Sequence, residues 1–403
     1  MQTTLRYCWI LAFIWVLLSC EDGSEDTPAP GRSYDYALSD GEYAGEVPLA
    51  GGDGDSTVQP PEPGQITAGE WNDLAHWDFW KNLKDNEDWQ TSRSTWGFTA
   101  EQRYRLRVLD RYNRPVVDAR ATLYDVHGGL LWEAHTDAEG VAELWGKAMG
   151  STSPSQSISV DYYGQTATLD ALSPFEQGEM TLKLDTERNC PDRIDLMFAV
   201  DATGSMMDEL DYLQSELTDV IARIEPTATV RLGTVFYRDE GDAYVVRAFP
   251  FTSNIPSMIE NIQAQSADGG GDWPEAVHTA LEEAIVNQQW SESATARLLF
   301  LLLDAPPHDN QDVKSAMQRL IRKASRQGVR IIPISASGID KPTEFLLRAM
   351  SILTQGTYVF VTDHSGIGND HLEPTVGEYD VELLNDLLVR LINQYGAKCG
   401  VER

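Results

Sequence analysis

Basic residues are scarce in this chain. Lys and Arg number 31 against 63 Asp and Glu, a formal net charge of −32 over 403 residues. Binding to phosphate backbones needs clustered Lys and Arg, so nucleic acid is excluded as an expected partner. Divalent cations and basic surfaces are the compatible ones. Catalytic signatures are missing too. The sequence has no His-Glu-x-x-His zinc motif, no Gly-rich phosphate loop ending in Lys, no Gly-x-Ser-x-Gly elbow and no Cys-His pairing. These absences remove common routes to peptidase, nucleotide hydrolase and nucleophilic esterase chemistry. Long apolar runs are absent as well. The run Tyr7–Leu18 has twelve residues, short of the ~20 needed to span a bilayer but suited to the core of a signal peptide.

Arg6 precedes that run and Ser19-Cys20 follow it. Leu17-Leu18-Ser19-Cys20 resembles a bacterial lipobox, with Leu18 standing where a small residue is usual. The resemblance implies a signal peptide over 1–19 and a lipid anchor at Cys20. The stretch Cys20-Glu-Asp-Gly-Ser-Glu-Asp is similar to the export signals of Bacteroidetes surface lipoproteins, which implies the outer membrane and its cell-surface face. Of the 4 cysteines, processing removes Cys8 and lipidation occupies Cys20. Cys190 and Cys399 remain, an even pair in an oxidising compartment. A disulfide between them would clamp the two ends of one domain, worth on the order of 4–5 kcal/mol on the chain-entropy model.

A chain of this length suggests two or three domains. Residues 20–69 read as an acidic linker. Between Glu21 and Glu70 stand 12 Asp and Glu and one basic residue, Arg32, with too few aliphatic side chains to offset the entropy of ordering. Residues 70–100 carry Trp71, Trp77, Trp80, Trp89 and Trp96; the spacing of Leu74, Trp77 and Trp80 places them on one face of a short helix packed against a neighbouring domain. A carbohydrate platform is the less favoured reading of these rings. Residues 101–185 alternate with period two in short runs broken by turns, as in Tyr104, Leu106 and Val108. The stretch 107–123, followed by Thr136-Asp-Ala-Glu-Gly-Val-Ala, resembles the carboxypeptidase regulatory-like family. That resemblance implies a small all-β sandwich without catalytic residues.

From 190 to 400 strand and helix patterns alternate, which predicts an α/β fold with a doubly wound, mostly parallel sheet. Buried strands are expected at 194–200, 229–237, 298–303, 329–335 and 357–361, with an antiparallel edge strand over 245–251. Helices are expected at 206–224, 255–263, 274–288, 312–327, 342–354 and 381–395. Asp201 and Asp304 each close an apolar strand, where ligands gather in open α/β sheets and where a carboxylate needs a cation or donors. Asp201-Ala-Thr203-Gly-Ser205 brings one carboxylate and two hydroxyls together. Oxygen donors select Mg²⁺, with Ca²⁺ or Mn²⁺ as alternatives, over zinc.

Asp201-x-Thr203-x-Ser205 is similar to the metal-ion-dependent adhesion site of von Willebrand factor A domains, usually Asp-x-Ser-x-Ser. The resemblance covers about residues 190–400 and includes Tyr237-Arg-Asp239, Gly269-Gly-Gly-Asp272-Trp-Pro-Glu275 and Leu303-Asp304-Ala-Pro-Pro-His308. It implies metal ligation by Asp201, Thr203, Ser205 and Asp304. Asp272 falls where many members place a threonine, and a third carboxylate would tighten cation binding and turn the site toward neutral or basic partner groups, or make the metal mainly structural. Asp239, Glu275, His308 and the loop 363–380 are candidates for the rim, each expected to be a satisfied loop residue rather than a ligand. The expected function is metal-dependent binding, adhesion or scaffolding through a protein partner. The alternatives are a metal-dependent hydrolase, for which His308 is the one nearby base, and an envelope protein with a metal-independent interaction surface. Mass spectrometry of protein taken from its own membranes should show a lipid-modified Cys20 and a Cys190–Cys399 peptide pair released only by reduction. An unmodified Cys20 or two free thiols would overturn the respective expectation.

Overall fold

The computed structural model describes residues 61–224, 229–271, 273–366 and 371–397. The expected signal peptide, Cys20, most of the acidic linker, Asp272 and Cys399 lie outside these residues.

The first described segment contains β1 (Thr67–Trp71), α1 (Trp77–Asn82) and α2 (Glu87–Trp96). Seven strands follow: β2 (Glu101–Leu109), β3 (Arg120–Asp125), β4 (Leu130–His135), β5 (Val141–Lys147), β6 (Ser155–Tyr162), β7 (Gln165–Leu169) and β8 (Met180–Lys183). They form a three-stranded sheet, β5-β2-β8, and a four-stranded sheet, β4-β3-β6-β7. Alternate residues such as Leu106, Val108, Leu123, Leu144 and Ile158 are buried in one cluster, as strand periodicity requires.

The remainder alternates strand and helix. Its elements are β9 (Arg193–Asp201), α3 (Met207–Arg223), β10 (Thr229–Tyr237), β11 (Val246–Thr252), α4 (Ile255–Gln263), α5 (Val277–Glu282) and β12 (Ala296–Leu303). Then come α6 (Gln311–Arg326), β13 (Val329–Ser335), α7 (Lys341–Leu353), β14 (Tyr358–Val361), β15 (Val381–Leu383) and α8 (Leu384–Tyr395). With β1 these strands make one sheet in the order β11-β10-β9-β12-β13-β14-β1-β15. The five strands from β10 to β14 in that order are parallel neighbours, and β11 is an antiparallel edge. Leu196, Phe198 and Val200 of β9 face one helical layer with Leu210, Leu213 and Leu388. Met197 and Ala199 face the other with Met317, Leu320 and Leu346. This is the expected α/β sheet, buried on both faces.

Three expectations change in detail. Residues 381–395 are not one helix: Val381–Leu383 pair with β1 as β15, and the helix begins at Leu384. The helix expected over 274–288 is shorter, Val277–Glu282 followed by a π-turn at Glu283–Asn287. The end of the expected linker belongs to the fold. Ile66 and Ala68 are buried, and the backbone N–H groups of Gly64, Gln65 and Ile66 donate to the buried Glu216 carboxylate on α3. A fragment starting at 190 would therefore lack a strand of its own sheet.

The Trp-rich segment packs onto α7. Trp80 stacks on Phe345 with centroids 5.8 Å apart. The fully buried Arg348 guanidinium lies 4.7 Å from the Trp89 ring and donates to Asp73 at 2.9 and 2.6 Å and to Glu344 at 3.1 Å. A buried cation with both carboxylates in place is satisfied, whereas removing one partner of such a pair typically costs about 3–5 kcal/mol.

The small sheets are fastened to the large one through β4. The carbonyls of Leu131, Glu133 and His135 accept from Arg322, Ser325 and Gln355, which covers an otherwise open sheet edge. Asp118, beside this strand, accepts from Arg297 Nη1 and Nη2 at 2.8 and 3.0 Å and lies 2.7 Å from His135 Nδ1. Burial favours its neutral form, but His135 and Arg297 outweigh this and hold its pKa down at about 2. A carboxyl below its unfolded pKa of about 3.9 stabilises the fold above that pH and loses the contribution as pH falls. Urea unfolding should therefore show a loss of about 2 kcal/mol from this group between about pH 5 and pH 2. Asp118→Asn should flatten that part of the profile, and an unchanged profile would show that the contact contributes nothing.

Candidate metal centre

β9 and β12 are adjacent parallel strands, and the chain leaves them in directions that open a crevice at their carboxyl ends. Asp201 is the last residue of β9 and Asp304 follows β12. Asp201 Oδ1 accepts from the Thr203 N–H at 2.9 Å and from Thr203 Oγ1 at 2.7 Å. Thr203 Oγ1 lies 3.1 Å from Ser205 Oγ. The structure thus brings Asp201, Thr203 and Ser205 together on one turn before α3, and Ser205 and Asp304 line the same open cleft of about 470 Å³.

A glycine loop forms the opposite wall. Gly204 N–H donates to the Gly269 carbonyl at 3.0 Å, and Asp268 N–H to the Ala202 carbonyl at 3.1 Å. Gly269 and Gly270 have φ of +79° and +70°, the left-handed region where a side chain is strained. A Cβ at Gly270 would also lie 3.2 Å from Thr203 Cβ. Asp242 fixes the loop by accepting from the Gly270 N–H at 2.9 Å. Asp272 itself falls outside the described residues.

Negative charge is concentrated and under-compensated here. Asp201 Oδ2, Asp304 Oδ1 and Glu275 Oε2 are buried without a hydrogen-bond partner. Burial first, and then the charge of Asp304, push the Asp201 carboxyl up to about 7, against the opposing pull of Thr203 and the Tyr237 hydroxyl. Burial raises Asp304 to about 6 although a Ser205 hydrogen bond opposes the shift. Burial followed by Asp201, Asp239, Asp304 and Asp242 takes Glu275 to about 9. Each orphaned oxygen is costly in a dry site, and a hard cation with oxygen ligands is the group that would satisfy them. Among the described residues no three His, Cys, Asp or Glu side chains are grouped to hold an ion by themselves. The Thr203 and Ser205 hydroxyls are the further oxygen donors beside Asp201.

Two residues acquire a place that the sequence reading did not give them. Glu275, expected at the rim, is 3% exposed and lines the cleft; its backbone N–H donates to the Pro306 carbonyl at 2.9 Å, which ties the glycine loop to the segment after β12. Glu209 was not singled out, yet it is buried, accepts from Ser337 and adds negative charge at Asp304. Its place in the first turn of the helix that follows Ser205 was the available signal. Asp239 and His308 pair with each other at 2.7 Å, and Asp363 accepts from the His371 backbone N–H at 2.9 Å and lies 2.7 Å from its Nδ1.

Comparison with known proteins bears on this half of the chain. The family model for the von Willebrand factor type A domain matches residues 195–369. Curated relatives include a putative ariadne-like RING finger protein of Acanthamoeba polyphaga mimivirus, 31% identical over 129 residues, 32% of this chain and 12% of that protein. Another is an alpha-protein kinase of Dictyostelium discoideum, 25% identical over 140 residues, 34% of this chain and 22% of that protein. This chain therefore spans less than a quarter of either relative's length. Among solved structures, the conserved hypothetical protein BatB of Bacteroides thetaiotaomicron has a TM-score of 0.35 at 13% identity, covering 50% of this chain and 98% of its own. An aerotolerance-related membrane protein of Bacteroides fragilis has a TM-score of 0.33 at 12% identity, with the same coverages.

Raised carboxyl pKa values weaken the metal-free fold as pH climbs, because the unfolded chain gives up its protons first. Asp304→Asn should therefore stabilise the metal-free protein near pH 8 by on the order of 2–3 kcal/mol, read as an upward shift in the urea midpoint. No change, or a loss, would show that Asp304 is satisfied by other means.

Proposed function

We propose that residues 190–400 act as a metal-dependent protein-binding module, displayed at the cell envelope by a lipid on Cys20. The observation that carries this reading is the pair of orphaned carboxylate oxygens on Asp201 and Asp304, beside the hydroxyls of Thr203 and Ser205, at the carboxyl ends of two neighbouring strands. The match to the type A domain family supports it. Asp201, Thr203, Ser205 and Asp304 would hold the ion, Mg²⁺ by preference, with Ca²⁺ or Mn²⁺ as alternatives. Asp272 is proposed as a further carboxylate at the same place. A bound dication supplies a Lewis-acidic point at which an oxygen of a partner can coordinate.

The chain's own residues shape the approach to that point. The glycine loop keeps side chains out of the crevice, and Trp273, 48% exposed at its rim, offers a flat apolar face of the kind enriched at protein interfaces. Among the described residues no helix is long and apolar enough to cross a membrane, so attachment in this reading rests on the lipid. The proposed Cys190–Cys399 bridge would close the module.

Calorimetric titration of the mature full-length chain with Mg²⁺, Mn²⁺ and Ca²⁺ tests the site. Saturable binding that disappears in Asp201→Ala, followed by metal-dependent capture of an envelope protein, is the expected result. Absence of binding in the unaltered protein would overturn the metal reading.

A further inference from the structure

The groove between α6 and β4 reverses the charge of the rest of the chain. Within Gln311–Arg326 stand Lys314, Arg319, Arg322, Lys323 and Arg326 against one acid, Asp312, in a protein of net charge −32. Arg319, Arg322 and Arg326 recur at spacings of three and four, so they share one helix face with Ser315. From Ser315 to Arg326 the stripe is ~16 Å long, the reach of about five residues of extended chain. Across an open cleft of about 470 Å³ it faces Leu130, Leu131 and Trp132 of β4. Leu130 is 51% exposed and Trp132 forms a buried floor.

Three of these cations have counter-charges: Lys314 pairs with Asp309, Arg319 with Glu282, and Arg326 with Glu133 at 3.1 Å. Arg322 differs. Its Nη1 donates to the Leu131 carbonyl and its Nε to Met149 Sδ, both at 3.1 Å, and its guanidinium lies 5.4 Å from the Trp132 ring. Burial lowers its pKa with no carboxylate opposing the shift. A guanidinium has five N–H donors, so most remain for a ligand. A half-buried cation without a counter-ion gains when an anion arrives.

We propose that this groove binds an acidic peptide segment of a partner protein, about five extended residues that carry carboxylates interleaved with an apolar side chain. The carboxylates meet Arg322 and Lys323, and the apolar side chain covers Leu130. The other Arg-rich stretch, around Arg103, Arg105 and Arg107, is already paired to Glu143 and Glu179, so charge complementarity favours this face. The surface is separate from the metal centre and does not depend on it.

Fluorescence anisotropy of the full chain in EDTA tests the proposal. The probes are labelled Asp-Leu-Glu-Asp-Leu-Glu, its Lys-for-acid counterpart and its Ser-for-Leu counterpart. The acidic apolar peptide alone should bind, more weakly as salt rises. Lys323→Glu should weaken binding by about tenfold or more with an unchanged melting temperature; this variant is decisive because Arg322→Met also removes contacts to β4. Equal binding of the Lys peptide, equal binding of the Ser peptide, or affinity unmoved by Lys323→Glu would overturn the proposal. So would capture by anionic phosphatidylglycerol vesicles without peptide binding, or self-association of the chain abolished by Lys323→Glu, which would assign the groove to a membrane or a second copy.

Discussion

Asp201 and Asp304 sit where two apolar strands end side by side, and their carboxyls are buried against each other's charge. That repulsion constrains everything around them. A sheet buried on both faces holds the strand ends in fixed register, so the two groups cannot move apart to relieve it. Thr203 answers one oxygen of Asp201, the Gly269–Gly270 loop closes the wall, and Glu209 adds negative charge at Asp304 instead of removing it. Such a cluster is tolerable because a large hydrophobic sheet supports it, and in the proposed function a cation relieves it.

The sheet that carries the site is completed from elsewhere in the chain. β1 lies between β14 and β15, and residues 64–66 donate three consecutive N–H groups to Glu216 on the helix that follows the Asp201 turn. Arg348, stacked on Trp89 and bonded to Asp73 and Glu344, locks the Trp-rich segment onto α7. Asp118 and the capped carbonyls of β4 fasten the smaller sheets. The described residues from 61 onward consequently form one compact unit, in which the segment before residue 190 is a structural part of the half that carries the Asp201–Asp304 crevice.

Charge is segregated across this unit. The crevice at the strand ends gathers carboxyl groups, while α6 carries five cations against one acid. A protein with two such oppositely charged surfaces can discriminate partners by charge at each, since complementary fields favour one partner and penalise another.

Much of the α/β fold could be read along the chain. The strands 229–237 and 329–335 and the helix 255–263 have the bounds their hydrophobic pattern implies, because buried parallel strands are continuous apolar runs set off by turns. The turn from Asp201 to Ser205 was legible for the same reason: its residues are neighbours in sequence. The place of β1 was not, since five residues at the edge of an acidic stretch carry little periodicity and gain their partners only from β14 and β15. The strand Val381–Leu383 was read as helix because its pairing partner lies more than three hundred residues away in sequence. Glu275 appeared to be a rim residue until the glycine loop folded it against Asp304, and Arg322 gave no sign of lacking a counter-ion. Sequence alone determined the charge balance, the alternation of strand and helix and the local oxygen donors, which depend on composition and short-range spacing. Tertiary structure decided which distant segments complete the sheet and which charges are left unanswered, because burial and pairing are properties of residues brought together only by folding.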